Sequence, residues 1–198
     1  YMDGQLSREG METAWEITAA IRAAVGPGIE ILIDAHGKFN VPTAIDLCRG
    51  LEESDIFWFE EPVPVESNHA LRQVRERVSA KISVGERLFT RWGFREILEE
   101  EAASLLQPDT CHAGGISEVR RIAAMAEVYY AGLAPHNPYG PVSTAACVHV
   151  DFAAPNFVIQ EMVDPDTAPA AMDLVKDPLP VVDGHILPPA GPGLGLEV

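Results

Sequence analysis

One pattern recurs along the 198-residue chain and limits its fold: a short apolar run ends at an ionisable residue, a loop with Gly, Pro or Asn follows, and then an amphipathic stretch. The runs and their terminal residues are Ile29–Ile33 with Asp34, Ile56–Phe59 with Glu60, Ile82–Gly85 with Glu86, Ser104–Pro108 with Asp109, Gly132–Pro135 with His136, and Phe157–Gln160 with Glu161. The terminal residues are 23 to 27 residues apart. A strand, two short loops and a helix of about eleven residues occupy that length. The pattern therefore predicts six strand–helix units.

The stretches between the apolar runs predict helices, one ending at Gly26 and another running from Ser117 to about Tyr130. Strands that alternate with helices pair in parallel through right-handed crossovers. Because every unit carries a polar group at the C-terminal end of its strand, a TIM-type (β/α) barrel is favoured, since such barrels place their chemistry there. The alternative, an open doubly wound sheet, concentrates its site at one switch point and commonly uses a Gly-rich phosphate loop. The chain offers only Gly114-Gly115 for that purpose.

Two regions of the chain differ in composition. Residues 1–162 predict a partial (β/α) barrel that forms the catalytic domain. Residues 163–198 are rich in Pro and Gly and predict a tail that packs back on the barrel or on a further domain. Within the tail, Val181–Leu187 predicts a short strand around Asp183-Gly184.

The charge and the cysteines restrict the function classes. A formal net charge of −16 argues against nucleic-acid binding and against an anionic membrane surface, since both need clustered Lys and Arg. No apolar run reaches the length of a membrane span. The three cysteines, Cys48, Cys111 and Cys147, lack disulfide-type or metal-type spacing, so we expect buried, reduced thiols and a cytoplasmic protein.

Three carboxylates form the candidate metal site. Asp34, Glu60 and Glu86 end three consecutive predicted strands, and in a barrel such residues converge. Unpaired carboxylates that lie together repel each other, and a divalent cation removes that penalty. Hard oxygen ligands with room for water and substrate suit Mg²⁺ better than zinc. An isolated acid at a strand end is more often a helix cap, but three in register favour a metal site.

A second group of residues suggests acid/base chemistry. Asp109 and His136 end the next two strands, and a carboxylate beside an imidazole fixes its tautomer and raises its basicity. His36 lies two residues after Asp34 and therefore on the same side of the strand end. Glu161 ends the series as a hydrogen-bonding or proton-sharing group. The remaining histidines, His69, His112, His149 and His185, are interpreted as surface or core residues.

Together, these residues lie in motifs that resemble the enolase superfamily, mandelate racemase/muconate lactonizing subgroup. The motifs are Ile-Asp34-Ala-His36-Gly, Phe-Glu60-Glu-Pro, Gly-Glu86-Arg-Leu, Gln-Pro-Asp109 with His112-Ala-Gly-Gly, Pro-His136-Asn-Pro and Ile-Gln-Glu161. The likeness runs from about residue 5 to the C-terminus. It implies the C-terminal six strand units of a (β/α)7β barrel, without the N-terminal α+β capping domain and the first barrel strands.

Within that subgroup the chain is most similar to the galactonate dehydratase family, and the similarity implies the role of each residue. Asp34, Glu60 and Glu86 match the Mg²⁺ ligands. His36 matches the general acid and His136 the base that takes the α proton, while Asp109 is the partner of His136. Glu161 matches the residue that binds the substrate carboxylate. The implied product is a 2-keto-3-deoxy sugar acid.

Other members of the superfamily fit less well. Cycloisomerases and dipeptide epimerases carry a lysine at the position of Asp109, and mandelate racemase lacks a histidine at the position of His36. An epimerase, a racemase or a dehydratase of another hydroxy acid remains an alternative, as does a barrel that binds without catalysis. Six strands cannot close a barrel, so we expect a longer polypeptide. We also expect a homo-oligomer whose small-molecule partner is a sugar acid.

Overall fold

Alternating helices and parallel strands make up most of the computed structural model, which describes residues 3–163 and 173–198. The helices are α1 (Arg8–Val25), α2 (Val41–Glu52), α3 (Asn68–Arg75), α4 (Thr90–Glu99), α5 (Ile116–Val128) and α6 (Pro141–Asp151). The strands are β1 (Ile31–Asp34), β2 (Ile56–Glu60), β3 (Lys81–Val84), β4 (Leu105–Leu106), β5 (Gly132–Leu133), β6 (Val181–Val182) and β7 (His185–Ile186). Strands β1 to β5 form one sheet in chain order, as expected for repeated strand–helix units.

The chain divides into two compact units, and the first comprises residues 1–84 and 96–105. Its strands β1 and β2 pair in parallel with Asp34 opposite Glu60, and β2 pairs with β3 so that Glu60 lies opposite Ser83. The interior is apolar, and Phe59, Val74 and Ile82 are fully buried there. This register places the polar strand ends at one edge of the sheet.

Local sequence explains where the helices of the first unit begin and end. The side chains of Ser7 and Asn40 cap the N-termini of α1 and α2 by accepting backbone hydrogen bonds. Gly26 ends α1 with a positive φ of 73°, a conformation that glycine adopts without strain. The predicted helix end at Gly26 is therefore confirmed.

The second unit comprises residues 85–95 and 106–198. Leu133 and Ile122 are fully buried in its core. The predicted helix after Gly115 is confirmed as α5, but it begins at Ile116 with Gly115 as its N-cap, so Ser117 does not open it. Asn156 O accepts from Leu133 N at 2.9 Å, and Val158 N donates to Leu133 O at 2.8 Å.

Three structural expectations for the second unit need correction. The run that ends at Glu161 forms only an isolated parallel bridge, Leu133 to Phe157, so the described sheet has five strands rather than six. The stretch Val181–Leu187 is a hairpin of β6 and β7, because Asp183 and Gly184 both have positive φ and form its turn. Cys111 is exposed, whereas Cys48 and Cys147 are buried as expected, and all three are free thiols.

The proposed division at residue 162 stays a prediction, since part of the tail, 164–172, lies outside the described residues. Within the described tail, the Lys176 ammonium lies 3.4 Å from Glu197. Among the helices that the structure describes, none combines the length and apolarity needed to cross a membrane.

Candidate active site

In the first unit, neighbouring strands end in two carboxylates. Asp34 ends β1, and its register partner Glu60 ends β2. Glu60 is buried, and its Oε2 accepts a hydrogen bond of 3.2 Å from the indole Nε1 of Trp58. Trp58 and Glu60 are two residues apart in a strand, so their side chains lie on the same face. The indole therefore fixes the orientation of a buried carboxylate.

His36 lies directly against Asp34. One carboxylate oxygen, Oδ1, accepts from the backbone N of His36 at 2.7 Å, and the other, Oδ2, lies 2.6 Å from the imidazole Nε2. His36 has a φ of 52°, a conformation uncommon for a residue with a side chain. The next residue is anchored as well, since Gly37 N donates to Glu61 O at 2.7 Å. The turn after β1 thus holds the imidazole beside the carboxylate.

In the second unit, His136 lies between two carboxylates. Its Nδ1 is 2.7 Å from Asp109 Oδ2, and its Nε2 is 3.1 Å from Glu86 Oε2. Asp109 is fully buried, and its Oδ1 accepts from the backbone N of Cys111 at 2.7 Å and of His112 at 3.0 Å. These bonds fix the Asp109 carboxylate so that it holds the imidazole through Nδ1. Nε2 is then the nitrogen that can exchange a proton with a neighbouring group.

Glu161 belongs to the same group of residues. Its Oε2 accepts from the backbone N of Asn137, the residue after His136, at 2.7 Å. The buried Asn137 amide donates in turn to Thr144 Oγ1 at 2.9 Å and to Glu161 O at 3.2 Å. The Glu161 carboxylate is therefore held at the base of the loop that carries His136, and it remains solvent-exposed.

The charges around His136 perturb its titration. Burial lowers its pKa, but hydrogen bonds to Asp109 and Glu86 and the charge of Glu161 outweigh burial and raise the pKa to about 10. Burial also acts against the charged form of Asp109, yet hydrogen bonds from His136 and from two backbone amides lower the pKa of that carboxyl overall. The contact between Asp109 and His136 thus favours the carboxylate of the one and the imidazolium of the other.

The donor set of Asp34, Glu60 and Glu86 has the composition that a hard divalent cation requires. Asp34 and Glu60 of the first unit and Glu86 of the second each carry a carboxylate that can offer an oxygen ligand to a metal ion. The group contains no thiolate or imidazole, so its chemistry fits Mg²⁺ rather than a softer metal. The indole bond to Glu60 is the kind of outer contact that orients a ligating carboxylate.

Two side chains at the site were not identified from the sequence. Trp58 precedes Glu60 by two residues, and this spacing is the signal that could have placed its indole on the carboxylate's face. Tyr139 follows His136 by three residues in a loop, where no periodicity applies. Its hydroxyl lies 3.0 Å from Nε2 of His112, a residue that we interpreted only as surface or core. His112 is exposed, but its contact with Tyr139 links it to the site.

Comparison with known proteins finds similar sequences along nearly the whole chain. The family model described as enolase C-terminal domain-like matches residues 4–198. The D-galactonate dehydratase of Pectobacterium atrosepticum is 38% identical over 193 residues, which cover 95% of this chain and 50% of that protein. A D-galactonate dehydratase family member from Streptomyces bingchenggensis is 39% identical over 184 residues, covering 92% of this chain and 44% of that protein.

Solved structures with the same fold include a member of the enolase superfamily from Salmonella Typhimurium, which has a TM-score of 0.95 and 36% identity. A mandelate racemase/muconate lactonizing enzyme-like protein from Rubrobacter xylanophilus has a TM-score of 0.94 and 40% identity. Each alignment covers 100% of this chain and 50% of the solved chain. The chain therefore spans about half the length of the relatives that it matches.

Proposed function

Because the chain belongs to the enolase C-terminal domain-like family, we propose that the full-length protein carrying it is a metal-dependent dehydratase of sugar acids. The substrate class is a galactonate-like aldonate, and the product is a 2-keto-3-deoxy acid. One observation carries the proposal: His136 is held by the buried Asp109 through Nδ1, with Nε2 directed at Glu86. An imidazole oriented in this way is suited to take the proton α to a carboxylate.

We assign Asp34, Glu60 and Glu86 as the residues that would hold Mg²⁺. When bound, the cation would supply positive charge that stabilises the enediolate form of the substrate. The donor chemistry supports this role, as does the indole that orients Glu60. A cation held by Glu86 would also reduce the negative charge that acts on His136, and this favours the neutral imidazole that a base requires.

The remaining residues divide the proton transfers between two imidazoles. His136 removes the α proton, while Asp109 keeps its ring oriented and stabilises the imidazolium that results. His36 then donates a proton to the departing 3-hydroxyl, so the proton and the hydroxyl leave as water. Contact with Asp34 supports this role, since it holds the His36 ring beside the carboxylate that is assigned as a ligand. Glu161 is assigned to bind the substrate carboxylate.

The test is a screen of aldonic and aldaric acids for α-keto acid formation by the full-length protein, with added Mg²⁺ and with a chelator. The proposal predicts an α-keto acid from at least one aldonate and its loss on complete removal of divalent metal. Stereochemical change without loss of water would identify an epimerase or racemase. Activity that survives metal removal would overturn the metal assignment, and failure to turn over or bind any acid sugar would favour a non-catalytic barrel.

A small sugar acid, rather than a nucleic acid or a membrane, remains the proposed partner of the protein. We also propose a cytoplasmic homo-oligomer, and light scattering of the purified full-length protein measures that assembly directly. A monomeric mass at working concentration would contradict the oligomer.

A further inference from the structure

A series of three aromatic contacts extends from His136 in the second unit. The Tyr139 ring meets the His136 ring edge-on, at an interplanar angle of 90° with centroids 6.2 Å apart. The same tyrosine contacts the His112 ring at 5.8 Å between centroids, and Phe89 lies 6.3 Å from His112. Tyr139 is therefore the side chain that joins His136 to His112.

The hydrogen bond between Tyr139 and His112 joins two separate loops. His112 belongs to the loop whose backbone amides donate to Asp109, and Tyr139 belongs to the loop that begins with His136. The bond is 3.0 Å long and lies at the solvent-exposed surface. Exposed hydrogen bonds contribute little net stability to a fold, because water replaces them readily. The bond joins the loop next to Asp109 to the loop that carries His136, and this location suggests a role in positioning these two residues.

The Asp109 carboxylate lies near both partners of this bond. His112 Nδ1 is 4.0 Å from Asp109 Oδ2. Burial, the nearby charge of Asp109 and a hydrogen bond to that carboxyl raise the pKa of Tyr139, so its hydroxyl stays protonated. The Tyr139 hydroxyl thus contacts both His112 and Asp109, and the tautomer of His112 decides which partner donates in the bond between Tyr139 and His112.

From this geometry we propose that Tyr139 and His112 form a positioning pair that keeps the His136 ring seated on Asp109. The edge-on tyrosine ring limits rotation of the imidazole, and the hydrogen bond to His112 keeps the two loops from separating. The geometric part stands without any substrate, while its kinetic consequence rests on the proposed function. Neither residue is assigned a proton transfer of its own.

Tyr139→Phe tests the pair, because it keeps the ring against His136 and removes only the hydroxyl. The readout is the exchange with water of the His136 Nδ1 proton that is shared with Asp109, followed by NMR in the protein without substrate. Loss of one hydrogen bond between the loops is expected to speed this exchange about fivefold. Tyr129→Phe is the matched control, since Tyr129 is in the same unit and its hydroxyl has no hydrogen bond to any described residue. The control should exchange at the wild-type rate.

A double-variant cycle and a kinetic arm complete the test. His112→Ala should speed exchange to a similar extent, and the combination with Tyr139→Phe should add little, because both changes remove one bond. If the full-length protein dehydrates an aldonate, Tyr139→Phe should lower kcat about fivefold and leave KM unchanged. An unchanged exchange rate, additive effects of the two variants, or a raised KM at constant kcat would each overturn the proposal. Absence of turnover would refute the proposed function, while the exchange measurement would still decide the role of the pair.

Discussion

Asp109→Asn removes the negative charge beside His136 and replaces one of two acceptor oxygens by a donor. The single amide oxygen can accept from the backbone amides of Cys111 and His112, and the NH2 group then faces His136 Nδ1 in place of the carboxylate oxygen. Because Asp109 favours the imidazolium, its removal must lower the pKa of His136. The same substitution should reduce any dehydration of sugar acids, because a neutral partner stabilises the imidazolium less.

The size of the effect follows from the hydrogen bond. A bond of 2.7 Å between an imidazolium and a buried carboxylate is charge-assisted, and such bonds contribute about 1.5–3 kcal/mol. One pKa unit corresponds to about 1.4 kcal/mol. From a pKa of about 10, we therefore expect a value between about 8 and 9 in the variant. The rest of the elevation remains, since Glu86 and Glu161 are unchanged.

The assay is an NMR titration of the His136 ring in protein that is free of divalent metal. Asp151→Asn is a suitable control, because Asp151 is another buried aspartate of the second unit and has no contact with His136 among the described residues. The control should leave the pKa of His136 unchanged. If Asp109→Asn also leaves it unchanged, the dyad geometry does not hold in solution, and the reasoning is refuted.

Three further outcomes follow from the structure. Burial raises the pKa of Asp151 to about 8, so between about pH 4 and pH 8 the folded protein keeps a proton that the unfolded chain loses. The free energy of unfolding should therefore fall as pH rises through that window, by on the order of 2 kcal/mol or more. Urea unfolding of Asp151→Asn should show no such fall. Gly85 has a φ of 152°, and an added Cβ would lie 2.6 Å from the carbonyl carbon of Gln107, so Gly85→Ala should lower the free energy of unfolding by about 2–4 kcal/mol. Gly28 has open space around it, so Gly28→Ala should change the free energy of unfolding by less than about 1 kcal/mol. Equal effects of the two substitutions would contradict the backbone argument. Saturating Mg²⁺ should lower the pKa of His136, because a cation held by Glu86 competes for the charge that raises it, and an NMR titration without any change would speak against Glu86 as a ligand.

The sequence pattern predicts the ends of β1 and β2 but not the extent of every strand. Asp34 and Glu60 end their strands as expected, because each follows a short run of aliphatic or aromatic residues, which favour strands. The run that ends at Glu161 has the same pattern but forms a single bridge, since only Leu133 pairs with it in the described chain. Pairing depends on the neighbouring strand, which a local pattern does not contain.

Loop geometry accounts for what the sequence did not predict. The contact between Tyr139 and His112 depends on two loops that meet only in the folded chain, and neither loop has a repeating pattern. Thr90 N donates to Ala113 O at 3.1 Å, an example of the long-range bonds that shape such loops. The exposure of Cys111 has the same origin, because Cys111 lies in the turn that Asp109 stabilises by accepting a hydrogen bond from the Cys111 backbone amide. Cysteine is buried on average, but this average preference does not predict whether a cysteine in a particular loop is exposed.

Separate measurement of α-proton exchange and dehydration tests the central claim most directly. The full-length protein would be incubated in D₂O with Mg²⁺ and a galactonate-like aldonate, as wild type, His36→Asn and His136→Asn. The account predicts a 2-keto-3-deoxy acid from the wild type, exchange of the α proton without dehydration from His36→Asn, and neither reaction from His136→Asn. Undiminished exchange in His136→Asn would contradict the account, because the base would then lie elsewhere.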